Sequence, residues 1–428
     1  MWGYHGFWPL DFDKIDSHLY TRQAGMPDGD KRHVKQLADS LHEAGMKLIM
    51  DVIVNHTGYN HPALMTDNAA GIRTGWFNPA YLEPLEDSTL LGLPELDLDN
   101  IEAADYFINM ITDWVEQTGV DCLRLYASQH LERVFWFNFK NLIKSGYPNI
   151  TLLGETPDWD LHRMCEFQKY YPFDFLFDFK LQQLMTDVFI CDKSILAFAY
   201  PHLSDSETLG TTQEDTNFTN HNRLITLLDN HDLPKRFVSE ALDHLNGDPA
   251  GAVRIYKLAI SFLMTVRGVP QIYYGNEIAL EGYGDPDNRR DMPWEIFDDR
   301  LEPGYSYLAQ REVFRHMKKM IEIRKASPAL SRGSLSTLYV DGFIYAFLRE
   351  YRGEAVIVVI NNGNQPMKVP LLISLESNAS IPPRVRNLLL NGPLKDLLDD
   401  AEGPGPEIEN GSFTVQLDGK SARIYKVL

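Results

Sequence analysis

The sequence predicts an α/β protein whose parallel sheet is covered by helices, followed by a small all-β domain. Three observations carry this. Over the first 325 residues, apolar strand-like runs alternate with amphipathic helix-like runs. The strand-like runs are apolar on both faces, as strands buried between two layers of helices must be. Beyond Lys325 the pattern changes to short β-type runs separated by turn residues. The length of 428 residues allows about three domains at roughly 150 residues each, or one large barrel and a smaller partner.

The elements follow in order. Lys31 to Gly45 sets Val34, Leu37, Leu41 and Ala44 at helical spacing, and Gly45 suits a C-terminal cap. Lys47 to Val54 is a nearly continuous apolar strand. Ala103 to Thr118 is a second amphipathic helix, with Phe107, Met110, Ile111 and Trp114 on one side. Strands are then expected at Val120–Tyr126, Ile150–Leu153, Phe173–Phe179, Leu224–Leu228 and Val269–Tyr274. Residues 326–333, with Pro328 and Gly333, read as a boundary. The β-type runs after it are Phe343–Leu348, Ala355–Ile360, Phe413–Leu417 and Ala422–Val427, with turn residues at Asn361-Asn362-Gly363 and Asp418-Gly419.

Composition narrows the function. Forty Lys+Arg against 60 Asp+Glu leave a net charge of −20. Nucleic acid and anionic membranes both need a basic footprint, so neither is expected as a partner. The longest uncharged apolar stretch, Leu258 to Val266, is too short to span a bilayer. The residues after Met1 have neither the basic nor the apolar region of a secretory signal. Cys122, Cys165 and Cys191 form no metal spacing and are odd in number, so a reducing, cytoplasmic setting is expected.

Polar clusters close the strand-like runs. Asn55-His56 follows the first, Arg124-Leu-Tyr126 ends the second with His130 just beyond, Glu155 ends the third, and Asp229-Asn230-His231-Asp232 ends a later one. In an α/β barrel the active site collects at the C-terminal ends of the strands, so these clusters are expected to converge.

At this point the chain resembles the α-amylase family of glycoside hydrolases, leaning toward its maltodextrin- and cyclodextrin-hydrolysing branch. Asp51-Val-Ile-Val-Asn55-His56 resembles the first family signature, Gly119 to His130 the second, Gly154-Glu155 the third and Asp229 to Asp232 the fourth. Tyr4-His5-Gly6-Phe7-Trp8 resembles the aromatic loop lining the sugar site, and Leu93-Pro94-Glu95-Leu96 a further motif. Asp285-Pro-Asp-Asn-Arg289 resembles an Asp/Arg pair that holds the next sugar. The resemblance implies a TIM (β/α)8-type barrel over 1–325, a short inserted domain at 57–98 after the third barrel strand, and a C-terminal β-sandwich over 334–428. It implies α-1,4-glucan oligosaccharides as substrate and a retaining mechanism with two carboxyl groups about 5–5.5 Å apart.

Residue by residue, the resemblance makes Glu155 the general acid/base, with a pKa that has to be raised toward the working pH. Asp232 is the carboxylate that holds sugar hydroxyls and steadies the oxocarbenium-like transition state. His56 and His231 bind hydroxyls around that ring, and Phe7 stacks on sugar with Trp8 and His5 beside it. Arg124 sits beside the nucleophile and keeps it ionised. Asp51 is either structural or part of the site. No organic cofactor is required. Calcium is left open: Asn55 and the His130 carbonyl resemble two of its ligands, and Asp67 and Asp87 are candidates for others.

Two departures stand out. The family pattern Arg-x-Asp is Arg124-Leu125-Tyr126 here, so the nucleophile position holds a phenol. Asp121 cannot replace it, being ~17 Å away along a strand at roughly 3.3 Å per residue. A phenol with a reference pKa near 10 is a poor nucleophile. Hydrolysis is therefore expected to be impaired, and the alternative is an inactive glucan-binding or protein-partner paralogue. Second, the aromatic loop follows the second barrel strand in the family but lies at residues 4 to 8 here. The first two strands are thus expected to be missing, leaving exposed sheet edges, and a misassigned start or a fragment is the expected reason.

Overall fold

The structure is a computed structural model that describes residues 5–58, 61, 75–77, 93–158, 161–199, 218–297, 305–373, 383–399 and 405–428. The chain forms two units: Met1–Pro157 with Glu166–Phe177, and Asp158–Cys165 with Asp178–Leu428.

The first unit is built on parallel strands β1 (Ile49–Val52), β2 (Cys122–Leu125), β3 (Thr151–Gly154) and β4 (Phe175–Phe177), adjacent in that order. They are shorter than the apolar runs that announce them, and side chains are the cause. Asp121 accepts the Leu48 N–H (2.9 Å) at the start of β1, and Asp174 accepts the Leu152 N–H (2.9 Å). β1 is the end strand, paired only with β2 among the described residues, and Ile49 is half exposed on it. That matches the expected apolar sheet edge.

The helices of this unit end where their sequences say. Gly45 adopts φ +73°, and the N–H of Met46 returns to the Leu41 carbonyl (2.8 Å), closing helix Arg32–Glu43. Asn100 accepts from the N–H groups of Glu102 and Ala103 to start helix Ile101–Thr118, and left-handed Gly119 ends it. That helix buries Phe107, Ile111 and Val115, and its Trp114 indole donates to the Phe12 carbonyl (2.7 Å). Of the segment at 57–98, residues 55–57 pair with 94–96: Thr57 N–H donates to Pro94 O and Leu96 N–H to Asn55 O.

The second unit carries parallel strands β5 (Leu224–Thr226) and β6 (Val269–Pro270). β6 is expected to reach Tyr274 but is shorter: its last bond to β5 is the Gln271 N–H to the Thr226 carbonyl (2.7 Å). Asp178 caps helix Phe179–Met185 through the Leu181 N–H, and its other oxygen accepts from buried Arg267 (2.6 Å). Helix Pro249–Thr265 is capped by Asp248. Its C-terminal carbonyls receive Arg324, which donates to Met264 O (2.8 Å), and Arg349, which donates to Thr265 O (2.6 Å).

The remaining strands are antiparallel: β7 (Ser334–Asp341), β8 (Ile344–Tyr351), β9 (Glu354–Asn361), β10 (Met367–Leu372), β11 (Gly392–Asp396), β12 (Glu407–Ile408), β13 (Ser412–Leu417) and β14 (Ser421–Val427). One sheet runs β12-β11-β14-β9-β8-β7 and the other pairs β10 with β13. Side chains alternate between two cores. Ala346, Leu348, Ile357 and Val359 meet Val369, Leu371, Phe413 and Val415 of the second sheet. Tyr345, Phe347, Val356 and Val358 share a core with helix residues such as Ile255, Phe262 and Met317. Both faces of β8 and β9 are covered, hence their unbroken apolar runs.

Gly154 ends β3 because nothing larger fits: a Cβ there would lie 2.5 Å from the Phe173 ring. Gly154→Ala is expected to lower unfolding stability by roughly 1–3 kcal/mol, the usual range for overpacking; urea unfolding checks this, and an unchanged midpoint would contradict the close approach.

Candidate active site

In the first unit, polar residues gather where the strands end. Asp51, Arg124 and Leu153 are register partners on β1, β2 and β3. Side chains at every second strand residue share a face, so Arg124 lies on the face that Glu155 joins just past β3. The Arg124 guanidinium donates through Nη1 to Asp51 Oδ2 (3.0 Å) and through Nη2 to Glu155 Oε1. It also lies against the rings of Phe177, Tyr126 and Phe7, at 5.6, 5.7 and 6.0 Å. Arg124 and Glu155 are buried, at 8% and 2% exposure, whereas Asp51 is open to solvent. The backbone fixes Glu155 further: its N–H donates to Leu125 O (3.0 Å), and its carbonyl accepts both the N–H and the hydroxyl of Ser128.

Tyr126 is half-buried. Its N–H donates to Val52 O (3.0 Å), and its ring packs 4.8 Å from Phe7 and edge-on 6.1 Å from His56. The backbone then turns through left-handed Ala127 (φ +50°). Asp121 sits at the other end of β2, bound to Lys47 Nζ (2.6 Å) and His42 Nε2 (2.8 Å). Burial pushes its pKa up, but these partners and the Leu48 N–H more than offset that and hold it at about 2.

The aromatic loop lies beside these groups. His56 Nε2 donates to the Phe7 carbonyl (2.9 Å), which can only accept, so Nδ1 is the lone-pair nitrogen. Burial lowers the His56 pKa, which keeps the ring neutral. His5 Nδ1 accepts the Phe7 N–H (3.0 Å), and Trp8 meets the His5 ring edge-on at 4.7 Å. Two expected residues stand apart. His130 is exposed on the turn after β2, against the Gln129 amide. Asn55 is buried beneath the loop with Oδ1 unpartnered. An orphaned amide oxygen suits a hard cation, although no cluster of three acidic, His or Cys ligands occurs among the described residues. Tyr4, Asp67 and Asp87 lie outside the described residues.

In the second unit, the residues after β5 form a braced loop. Asn230 Oδ1 accepts the N–H groups of Asp232 (2.9 Å) and Leu233 (2.8 Å). His231 Nε2 lies 3.1 Å from Asp232 Oδ2, and Arg289 Nη2 lies 3.8 Å from Asp232 Oδ1. The Arg289 Nε donates to Asp285 Oδ1 (2.6 Å). His231, Asp232, Asp285 and Arg289 therefore stand together. Arg236 and Asn288 were not singled out from the sequence, yet they underlie this group. Arg236 is fully buried, donates to the carbonyls of Asn288 (3.0 Å) and Tyr274 (2.8 Å), and lies 4.3 Å over the Tyr273 ring. An arginine inside the core has no signal in a single sequence.

Asp229 opens this loop from the core. Its oxygens accept from the Phe237 N–H (2.5 Å) and the Asn276 amide. Burial pushes its pKa up to about 6, against the partial opposition of Phe237 N–H, Arg236 and Asn276. The folded chain thus holds this proton between about pH 4 and 6 while the unfolded chain has lost it. The resulting stability is full below about pH 4 and lost as pH rises through about 6. A difference of that size corresponds to roughly 3 kcal/mol. Across that window the natural chain is expected to lose this amount relative to Asp229→Asn, read from unfolding at each pH; parallel profiles would refute the assignment.

The match to known proteins is extensive. Residues 4–78 and 85–333 match the family described as alpha amylase, catalytic domain. The cyclomaltodextrinase of Thermoanaerobacter pseudethanolicus is 29% identical over 376 residues, 84% of this chain, and that of Geobacillus thermopakistaniensis 27% over 391 residues, 86% of it. The chain spans 58% of the length of each. Among solved structures, an Anoxybacillus α-amylase is 31% identical with a TM-score of 0.78, over 99% of this chain and 83% of its own. The Geobacillus thermoleovorans α-amylase complexed with acarbose is 28% identical with a TM-score of 0.76, over 100% and 85%. The fold class is accordingly the α/β barrel type with a C-terminal all-β domain, and the chain belongs to the α-amylase family of glycoside hydrolases.

Proposed function

We propose that this chain is an α-1,4-glucan oligosaccharide protein of the maltodextrin- and cyclodextrin-hydrolysing kind, whose retaining turnover is held back at Tyr126. The observation that carries this is the Arg124–Glu155 ion pair beside an uncharged residue 126. The names of the relatives, cyclomaltodextrinases among them, support the substrate class. The family match supports assigning the residues of both units to one reaction, because its segments take in Glu155 as well as Asp232. The domain reading stays as 1–325 with an inserted 57–98, and 334–428.

In the retaining route a carboxylate attacks the anomeric carbon while a carboxylic acid protonates the departing oxygen. Glu155 is assigned the acid/base role and Asp232 the support of the charged sugar ring. His231 binds ring hydroxyls with His56, whose open nitrogen is Nδ1. Phe7, with Trp8 and His5, provides the stacking surface. Asp285 and Arg289 hold the neighbouring sugar, and His130 lies at the rim. Residue 126 is where the covalent bond to sugar would form, and a neutral phenol packed on Phe7 does not supply the nucleophile. The proton transfer of that same step suffers too: in the pair with Arg124, Glu155 is an acceptor, while a general acid has to hold a proton. A carboxylate at 126 would take up part of the Arg124 charge and release Glu155.

No organic cofactor enters this scheme. A structural calcium would use Asn55 Oδ1 and the His130 carbonyl, and no step depends on it. An acidic chain without a helix long and apolar enough to cross a membrane among the described residues gives no support to nucleic acid or lipid as a partner. The odd number and unpatterned spacing of Cys122, Cys165 and Cys191 in the sequence are what the cytoplasmic reading rests on. The second reading, a non-catalytic glucan-binding or protein-partner paralogue, is favoured by Tyr126 alone.

The test is release of reducing ends from maltoheptaose by the natural chain and by Tyr126→Asp, both checked for folding. The variant is expected to exceed the natural chain by at least roughly a thousandfold, the scale of losing a covalent nucleophile, and Glu155→Gln on that background should abolish the gain. A folded, inert Tyr126→Asp that still binds maltoheptaose would favour the non-catalytic reading; no binding by either would overturn both.

A further inference from the structure

We infer that Asn288 is a positioning residue for Asp232. It rests on the reading above that Asp232 faces the sugar. The Asn288 Nδ2 donates to His231 O (3.1 Å) and Leu233 O (2.9 Å), the two carbonyls that flank residue 232. Both donors of one amide are thus spent on one loop. The opposite side of the loop is held by Asn230 Oδ1 through the N–H groups of Asp232 and Leu233. The backbone around Asp232 is therefore held through its carbonyls by the Asn288 amide donors and through its N–H groups by the Asn230 amide oxygen.

The amide orientation is unambiguous. Turned over, Asn288 would set its oxygen against two carbonyl oxygens, and nothing would donate. In the orientation found, both donors are used and Oδ1 is buried. Asn288 itself is 1% exposed. Its own carbonyl accepts from Arg236 Nε (3.0 Å), and a Cβ on Gly282 would lie 2.7 Å from its Cα, so it has no room to move away. The next residue is Arg289, which approaches Asp232 and pairs with Asp285. One amide therefore sets the spacing between the Asp285–Arg289 turn and the Asp229–Leu233 loop, and with it the geometry of the two carboxylates around the Arg289 guanidinium.

The sharpest variant is Asn288→Asp, which keeps the shape and removes both donors; Asn288→Ala removes them without adding charge. Leu330→Ala, at a fully buried site of the same unit, serves as the control that loses stability elsewhere. Hydrogen–deuterium exchange at the Asp232 and Leu233 amides is expected to rise roughly tenfold or more over a control of equal melting temperature, as the loss of two hydrogen bonds implies. Calorimetric affinity for maltoheptaose is expected to fall by about the same factor in both Asn288 variants and to hold in Leu330→Ala. Exchange at these amides no faster than in the control would overturn the inference, as would failure of both Asn288 variants to fold, which would make the residue a plain core element. Absence of maltoheptaose binding by the natural chain would instead overturn the functional reading, and the exchange comparison would still decide the positioning role.

Discussion

Arg124 brings a full positive charge to a place almost closed to water, and its neighbours are arranged around that charge. A buried guanidinium is tolerated only when its donors are matched, and removing a partner from a buried pair costs roughly 3–5 kcal/mol. The residue two positions on, which shares its face of the strand, is Tyr126 and supplies no charge. The charge is met instead by Asp51 on one neighbouring strand and Glu155 beyond the other. Three parallel strands are thereby tied together at the end where a barrel does its chemistry. The same tie commits one Glu155 oxygen to Arg124 rather than leaving it open to the space beyond the strand ends.

The second unit meets the same problem differently. Arg267 has a buried carboxylate in Asp178, but Arg324 and Arg349 bond backbone carbonyls at the C-terminal end of helix Pro249–Thr265 and at Gly268, Gly333 and Ser334. The negative end of a helix is a favourable place for cations. Burial nonetheless pulls the Arg349 pKa down to about 9, helped by the charges of Arg324 and Arg267, and that of Arg324 to about 10. Arg349 of β8 thereby joins the end of helix Pro249–Thr265 to the start of β7. Around Asp232 the backbone is held by neutral groups, the side-chain amides of Asn230 and Asn288.

Much of the architecture was legible because it follows from periodicity. Runs apolar on both faces, such as Leu123 and Leu152 with their neighbours, became parallel strands. Phe107, Met110, Ile111 and Trp114 at helical spacing announced the helix that the structure places at Ile101–Thr118. Strand ends were less legible. The ladders beside Asp121 and Asp174 give way to side-chain bonds that no pattern of hydrophobicity reports. Arg236, Arg349 and Asn288 were invisible as determinants, because polar residues in a single sequence read as surface.

The sequence by itself determined the order of strands and helices, the clusters at the strand ends and the absence of a carboxylate at residue 126. These depend on local chemistry: which side chains alternate, which residues cap, and which functional group stands at a position. Only the tertiary structure decided which partner each charge takes. Arg124 faces Asp51 and Glu155 across 73 and 31 residues of sequence, and Asn288 reaches back 57 and 55 residues to the carbonyls around Asp232. Such pairings are set by what lies within about 3 Å once the strands are in register, and that distance is a property of the fold rather than of the chain.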